Sequence, residues 1–346
     1  MATEPATGYA LEGPPALERE ARRDGTAGQG PWRLAFQRLR RNRVSLVFGF
    51  VFLVLVLICL AAPLWADHVA HTDPYKNHLT DKVVVDGVEK DVVTPDGIPI
   101  GPTWQGEFLL GADGNGRDTA VRLLYGGRNS LLIGVSAALI TTFLSIVVGI
   151  LSGFFRGFTD TVLSRTMDVI WAFPVVLLGV ALGTALTLSG LQLGPVDISG
   201  RSKLIPILII AIVYVPYMAR PIRGQVLSLR EKEFVEAARA QGAGSLRIML
   251  SEILPNLSST VIVFFPLMVA NAILLEAALG FLGVGVQPPE ASWGTMIGDG
   301  VEHILSGPHL AIVPGVMLVI TVLALNIFGD GVRDAFDPRA KIHLEH

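Results

Sequence analysis

Few side chains in this sequence have the types and spacing that chemistry requires. A phosphate-binding P-loop needs a lysine directly after a glycine, so that the lysine and the backbone amides cradle the phosphates. None of the six lysines of the chain follows a glycine. The chain has one cysteine, Cys59, which lies in an apolar run. A single cysteine excludes an intrachain disulfide and a cysteine-based metal cluster. The sequence therefore predicts no catalytic residue, no metal site and no cofactor of the chain's own.

A glycine-rich segment at residues 113–118, with the sequence DGNGRD, has the beginning of a calcium-loop pattern. Arg117 occupies a position where such a loop needs an acidic or amide ligand, so a calcium site is disfavoured. The alternative is a tight turn in which Asp118 caps the helix that follows. His303 and His309 are too isolated in the sequence to indicate a metal site.

Two carboxylates fall within apolar runs, where a charge is costly and is therefore a candidate for function. Glu276 lies past the middle of the fifth run and Asp168 near the beginning of the third. Both are candidate passage or gate residues. The alternatives are a structural hydrogen bond or ion pair for Glu276, and an interfacial ion pair with Arg165 for Asp168.

The apolar runs themselves place the chain in the membrane class. Of its 346 residues, 51% are hydrophobic and only 16% are charged, and the mean hydropathy is +0.54. A membrane-spanning helix needs about 20 apolar residues, and six runs approach or exceed that length. A net charge of −3 gives no basic excess that would indicate nucleic-acid binding. The predicted fold is all-α, with membrane helices over residues 44–65, 130–154, 167–188, 204–218, 258–282 and 310–328.

The segments between the runs give the domain organisation. Residues 1–43 form a cytosolic tail, disordered over its first 30 residues, with a basic segment before the first helix at 44–66. Residues 67–127 form a small extracytoplasmic insertion, in which Asp86-Gly87 is the predicted turn of a β-hairpin. A five-helix core follows at 128–330, and 331–346 is a cytosolic tail. Glycines four residues apart at 149, 153 and 157, and again at 179 and 183, predict close helix packing.

Basic residues indicate the orientation. Arginines precede the first run and recur in alternate loops, whereas the loop at residues 284–309 has neither lysine nor arginine. The positive-inside rule therefore places both termini in the cytosol. Arg201 and Lys203 fall on the predicted extracytoplasmic side and count against this orientation.

The longest predicted cytosolic loop, at residues 220–257, has the pattern of a helix–turn–helix. Residues 231–240 are strong helix formers, Gly242 and Gly244 supply a turn, and Ser245 begins a second helix that Pro255 is expected to end. Such a unit would transmit a movement of a cytosolic partner to the membrane helices. On composition alone, an ordinary solvated loop fits equally well.

A family resemblance favours the first interpretation. Glu236-Ala237-Ala238, Gly242 and then Ile253-Leu254-Pro255 resemble the EAA loop of permease subunits of bacterial ABC importers. Here Ile253 directly precedes Leu254, whereas the family usually has one residue between them. Residues 109–134, 276–300 and 326–339 resemble the C-type permease of the dipeptide, oligopeptide and nickel subgroup. The resemblance extends over residues 32–339.

The resemblance implies a type I importer permease fold in the inner membrane. It also implies partners: a second permease, two ATPase subunits that hold ATP and Mg²⁺, and an extracytoplasmic peptide-binding protein. The EAA loop would dock on the ATPase, and Trp293, in an outer loop, would meet the binding protein or lie in the interfacial aromatic belt. The expected cargo is short peptides, with nickel or another small solute as the alternative.

The alternative functions from other classes are an intramembrane enzyme and an autonomous secondary transporter. An intramembrane enzyme would need a Ser/His or paired-Asp constellation within the runs. An autonomous secondary transporter would usually have more intramembrane charges and internal repeats. The sequence shows neither pattern.

Overall fold

A computed structural model describes residues 31–336. The predicted disordered tail at residues 1–30 and the end of the chain after residue 336 lie outside the described residues. The described chain is a helical bundle with two small β-hairpins. Its helices are α1 (Pro31–Arg41), α2 (Arg43–Leu60), α3 (Ala62–Trp65), α4 (Thr119–Phe155), α5 (Gly157–Ala172), α6 (Val175–Ser189), α7 (Leu204–Leu229), α8 (Glu233–Ala240), α9 (Ser245–Arg247), α10 (Leu254–Phe281), α11 (Trp293–Glu302) and α12 (His309–Phe336).

Within residues 31–336, five helical segments are long and apolar enough to cross a membrane: α2, α4, α7, the segment Ser245–Phe281 that includes α10, and α12. The pair α5 and α6 makes a sixth if it is one broken span, since its two helices meet at 91°. The predicted multi-pass membrane class is confirmed.

The third predicted membrane helix, at residues 167–188, is interrupted at Phe173, where α5 and α6 meet. Phe173 has extended backbone angles, with φ −95° and ψ 142°, and Pro174 precedes α6. Proline disfavours the helical conformation for the residue before it and donates no hydrogen bond, so the helix ends there and restarts in another direction.

Helices α4 and α7 pack closely against each other. A Cβ atom added to Gly149 would lie 2.6 Å from Ile222 Cγ2, and one added to Gly153 would lie 2.7 Å from Val226 Cβ. The predicted role of these glycines is confirmed. Gly157 differs, because it has φ +59° and follows the break between α4 and α5, so it serves the turn and not the packing.

The segment between α2 and α4 forms the insertion, and we call the end of the bundle that carries it the insertion end. Strands β1 (Lys82–Val85) and β2 (Val88–Asp91) pair antiparallel with Val85 opposite Val88, which confirms the turn at Asp86-Gly87. The hairpin has an apolar core of its own, formed with the loop that returns to α4. Its buried members are Val83, Val85, Val92, Val93, Phe108 and Ala112.

Asp118 fixes this insertion to the bundle and caps α4, as the sequence predicts. Its carboxylate is fully buried and accepts hydrogen bonds from the backbone amides of Ala120 (2.9 Å) and Val121 (3.1 Å) in the first turn of α4. It also accepts bonds from the Phe108 amide (2.8 Å) and the Thr72 hydroxyl (3.2 Å). One side chain therefore joins three parts of the chain.

Two elements of the structure were not predicted. Strands β3 (Leu191–Leu193) and β4 (Val196–Ile198) form a second hairpin between α6 and α7. Helix α11 lies in the segment between α10 and α12, where the sequence predicts a loop. It begins with a capping box, since the Ser292 hydroxyl accepts from the Thr295 amide (3.3 Å) and the Thr295 hydroxyl accepts from the Ser292 amide (2.9 Å).

Candidate functional site

Helix α8 carries the first half of the EAA-like motif at the end of the bundle opposite the insertion. Glu236 and Ala237 are exposed on it, and Ala238 is half-buried. The helix ends in a Schellman motif: the Ala243 amide donates to the Ala238 carbonyl (3.0 Å) and the Gly242 amide to the Arg239 carbonyl (2.9 Å). Gly242 has φ +81°, a conformation that glycine adopts without strain. The predicted helix and turn are confirmed.

The inner side of this loop is packed into the core of the bundle. Val235, on the face of α8 opposite Ala237, is fully buried, as are Ile253 and Leu257. A helix held by apolar burial on one face moves with the bundle that holds it. The exposed residues of the motif therefore sit on a surface that is rigidly attached to the membrane helices.

Polar contacts fasten the loop to the end of α4 as well. The Arg230 guanidinium donates a 2.6 Å hydrogen bond to the Phe154 carbonyl oxygen, and Arg156 pairs with Glu231. The Arg239 guanidinium lies 5.8 Å from the centre of the Phe154 ring. Partial burial and the nearby Arg156 and Arg239 lower the pKa of Arg230.

The second half of the motif, Ile253-Leu254-Pro255, does not end a helix as predicted. The segment Ile248–Ile253 is a π-helical turn, and α10 begins at Leu254 with Pro255 in its first turn. Proline is accommodated there because the first amides of a helix have no intrahelical acceptor. The loop is consequently continuous with a membrane helix of 28 residues.

Asp168, on α5, is one of the residues that line an open cavity of about 470 Å³ between α5 and α7. Arg220 of α7 donates to its carboxylate at 2.9 Å, and Arg165 approaches within 3.6 Å. Next to this group, Arg223 makes a bidentate pair with Asp160, with two N–O distances of 2.6 Å. The structure thus pairs Asp168 with Arg165, as the sequence alternative proposed, and adds Arg220, which sequence reasoning did not pair with it.

Glu276 lies on α10 where that helix meets α4 and α11. It is fully buried, and neither carboxyl oxygen has a hydrogen-bond partner within residues 31–336. The hydroxyls of Ser292 and Ser130 act on this carboxyl without meeting the geometry of a hydrogen bond. The side chain lines none of the described cavities in this conformation.

Trp293 is fully buried at the start of α11. Its indole nitrogen donates to the Leu123 carbonyl (3.1 Å) and its backbone amide donates to the Ser130 hydroxyl (3.1 Å). In this conformation its side chain offers no surface to another protein.

A second polar cluster joins the insertion end of α4 to α11. Asp113 pairs with Arg117 (2.7 Å) and Arg122 (3.2 Å), and Asp299 lies 3.9 Å from Arg117. Burial raises the pKa of the Asp299 carboxyl, against the opposing effect of the two guanidinium groups. Within residues 31–336, no group of three or more His, Cys, Asp or Glu side chains has the arrangement of a metal site.

Two family models match the sequence. The binding-protein-dependent transport system inner membrane component matches residues 145–342, and the N-terminal TM domain of oligopeptide transport permease C matches residues 30–81. The first of these spans more than half of the chain, including the whole EAA-like loop.

Curated relatives align with nearly the full length. The dipeptide transport system permease protein DppC of Alkalihalophilus pseudofirmus is 36% identical, over 90% of this chain and 91% of the relative. The glutathione transport system permease protein GsiD of Pectobacterium atrosepticum is 33% identical, over 90% and 92%. The di/tripeptide transport system permease protein DppC of Pseudomonas aeruginosa is 36% identical, over 90% and 93%.

Among solved structures, an inward-facing conformation of the MetNI methionine ABC transporter matches with a TM-score of 0.50 and 19% identity. The match covers 62% of this chain and 96% of the other, and it supports the predicted importer permease fold. This chain is a member of the family of inner-membrane components of binding-protein-dependent transport systems.

Proposed function

We propose that this chain is one of two permease subunits of an ATP-driven importer for short peptides. The observation that carries the proposal is the loop at α8, whose Glu236, Ala237 and Gly242 are exposed while Val235 and Ile253 are buried in the bundle. A separate ATPase that binds ATP and Mg²⁺ would dock on the exposed face. The relatives named for dipeptide, di/tripeptide and glutathione transport support a peptide cargo.

Coupling of the ATPase to the membrane helices would depend on the stiff packing of α8 against α4 and α10. Movement of α8 by the ATPase would reach α4 through Arg230 and Arg239 at Phe154, and α10 through Ile253. Nucleotide binding would thus favour one arrangement of the membrane helices over another, as a ligand must to shift a conformational equilibrium. The chain supplies no catalytic residue to hydrolysis in this mechanism.

The proposed orientation places α8 and both termini in the cytosol of a bacterial inner membrane. Arg156, Arg223, Arg230 and Arg239 lie together at the α8 end of the bundle, in keeping with the positive-inside rule. The insertion and α11 then face outward, where an extracytoplasmic binding protein would deliver the peptide. The second permease would complete the passage.

Within this chain, we assign Asp168 to the passage and Glu276 to an outer gate. Asp168 is half-exposed at a cavity. Glu276 is an unpartnered buried carboxyl where α4, α10 and α11 meet, so the closed packing carries a desolvation cost that opening would relieve. Trp293 would influence delivery by holding α11 in place.

The test is transport and ATP turnover by the complex co-expressed with its second permease, ATPases and binding protein. We expect Glu236→Ala and Gly242→Val to lower peptide uptake and peptide-stimulated ATP hydrolysis at least about tenfold while the complex still assembles. Glu252→Ala is the matched control, because it removes a carboxylate from the π-helical turn of the same loop. Unchanged transport in both variants, or uptake without the ATPase, would contradict the coupling role. Uptake of nickel in place of peptide would contradict the cargo.

A further inference from the structure

The cavity between α5 and α7 carries both signs of charge. Its two carboxylates and three guanidinium groups come from Asp160, Arg165 and Asp168 on α5 and from Arg220 and Arg223 on α7, and the Ser164 hydroxyl lies among them. We call this set the charged cavity. Its volume of about 470 Å³ falls within the ~300–1,000 Å³ of ordinary small-ligand sites.

The charges of this cavity are not all neutralised internally. Arg223 and Asp160 neutralise each other in their bidentate pair, and Asp160 also accepts a hydrogen bond from the Ser164 hydroxyl (3.0 Å). Asp168 shares its carboxylate between Arg220 at 2.9 Å and Arg165 at 3.6 Å, and its side chain remains 51% exposed. Arg165 is 79% exposed. One carboxylate and one guanidinium therefore retain hydrogen-bonding capacity toward the cavity.

An aromatic surface adjoins these charges. The Arg220 guanidinium lies over the Trp171 ring at 4.7 Å, and the rings of Trp171 and Tyr217 are 6.3 Å apart. Phe264 of α10 extends the series at 6.3 Å from Tyr217. An apolar side chain could pack on this surface while a charged group remained at Asp168 or Arg165.

The charged cavity lies on the broken helix pair. Its α5 residues precede the 91° bend between α5 and α6, and Trp171 is two residues before the break at Phe173. Interrupted helices in transporters commonly surround substrate sites, because the irregular backbone is tolerated only where it lines a cavity or is buried in protein.

We propose that the charged cavity and the adjoining aromatic surface form a transit site for short zwitterionic peptides. Asp168 accepts the peptide's ammonium group, Arg165 donates to its carboxylate, and Trp171 and Tyr217 contact its apolar side chains. A purely anionic ligand such as a lipid phosphate would face Asp168 with like charge, whereas a zwitterion satisfies both signs. The inference rests on the proposed function and names a binding site within it.

The first test uses thiol labelling in the complete complex, with binding protein and ATP present. Cys59 is fully buried, so an introduced cysteine is the accessible thiol among residues 31–336. We expect a transported dipeptide to slow maleimide labelling of Ser164→Cys at least about threefold. Val162→Cys, on the opposite side of α5 and 45% exposed as the native valine, should label at an unchanged rate.

Normal transport without protection of Ser164→Cys would overturn the transit site. Protection by vesicles of anionic phospholipid in the absence of peptide would assign the cavity to lipid headgroups and would overturn it as well. Each outcome is measured on a variant whose uptake is recorded in parallel.

The second test separates this inference from the proposed function. We expect Asp168→Asn to lower the peptide imported per ATP hydrolysed at least about fivefold. Asp168→Glu should restore import. Val169→Ala, at the next position and exposed on the surface of the bundle, should leave import unchanged. If wild type imports peptide and Asp168→Asn imports equally well, the transit site is wrong. If wild type imports no peptide, the proposed function is itself wrong.

Discussion

The indole nitrogen of Trp293 donates a 3.1 Å hydrogen bond to the carbonyl oxygen of Leu123, which joins α11 to α4 across 170 residues of sequence. The ring also packs tightly, since a Cβ atom on Gly127 would lie 2.8 Å from it. This contact adds to the Trp293 amide–Ser130 hydrogen bond and the Arg117–Asp299 ion pair that also hold α11 on the rest of the bundle. A buried indole with a satisfied N–H is both an apolar and a polar attachment.

The first prediction follows from this contact. Trp293→Ala should destabilise the chain by about 3–5 kcal/mol, because it removes a large buried side chain and leaves a cavity. Trp293→Phe keeps most of the packing and loses the hydrogen bond, so the cost should be about 1–2 kcal/mol. Thermal unfolding of the purified complex in detergent measures both. Unchanged stability with weakened binding-protein affinity would instead indicate a surface role for this residue.

The second prediction concerns the approach of α4 to α7. Gly153→Ala should destabilise by about 1–3 kcal/mol, because the new methyl group meets Val226 and the backbone oxygen of Arg223 at 2.9 Å. Gly224→Ala is the matched control on α7, where an added Cβ meets no described atom within 4 Å. It should stabilise by about 0.5–1 kcal/mol, because alanine is the better helix former. Equal effects of the two variants on the midpoint of thermal unfolding would refute the close-packing role.

The third prediction concerns Asp118. Asp118→Ala should destabilise the insertion end by at least about 2 kcal/mol, because it removes a helix cap and leaves the Phe108 amide without its acceptor. Protease sensitivity of the insertion, together with the unfolding midpoint, measures the loss. Asp96→Ala is the control, an exposed aspartate in the same insertion, and should have little effect.

The same carboxyl gives a pH dependence. Burial raises the pKa of Asp118 above its ordinary value of 3.8, although hydrogen bonds from Val121, Phe108, Thr72 and Ala120 oppose the rise. The folded chain therefore holds this proton to a higher pH than the unfolded chain does, and its contribution to stability falls as the pH rises from about 4 through the raised pKa. Asp118→Asn should abolish that component of the pH profile. An identical profile in the variant would rule out this assignment.

Much of the membrane organisation was predictable from the sequence, because apolar runs of spanning length have few other uses. The hairpin at Asp86-Gly87 and the cap at Asp118 were predictable as well, since each depends on residues close together in the chain. The break before Pro174 was not, because proline within an apolar run is compatible with either a kink or a full break. Helix α11 was missed because three glycines weaken its helical signal, although Ser292 and Thr295 at its start could have indicated a cap.

The candidate functional sites were likewise predictable only in part from the sequence. The EAA-like motif is local, and its residues could be identified by type and spacing. Which of them are exposed depends on the fold, so the division between exposed Glu236 and buried Ile253 required the structure. The pairing of Asp168 with Arg220 joins residues 52 positions apart and depends on how α5 packs on α7. Sequence spacing carries no signal for such a contact.

The last prediction concerns Glu276, whose two carboxyl oxygens have no hydrogen-bond partner among the described residues. An unpartnered buried polar group costs free energy, and an apolar replacement of similar size removes that cost. Glu276→Leu should therefore stabilise the closed packing of α4, α10 and α11 by about 1–3 kcal/mol. If this junction opens during transport, the same change should lower uptake, because the outer gate then opens less often. Glu276→Gln, which keeps a polar group, should transport better than Glu276→Leu. The unfolding midpoint and the uptake rate should thus move in opposite directions for Glu276→Leu, whereas a purely structural role would raise the midpoint and leave uptake unchanged.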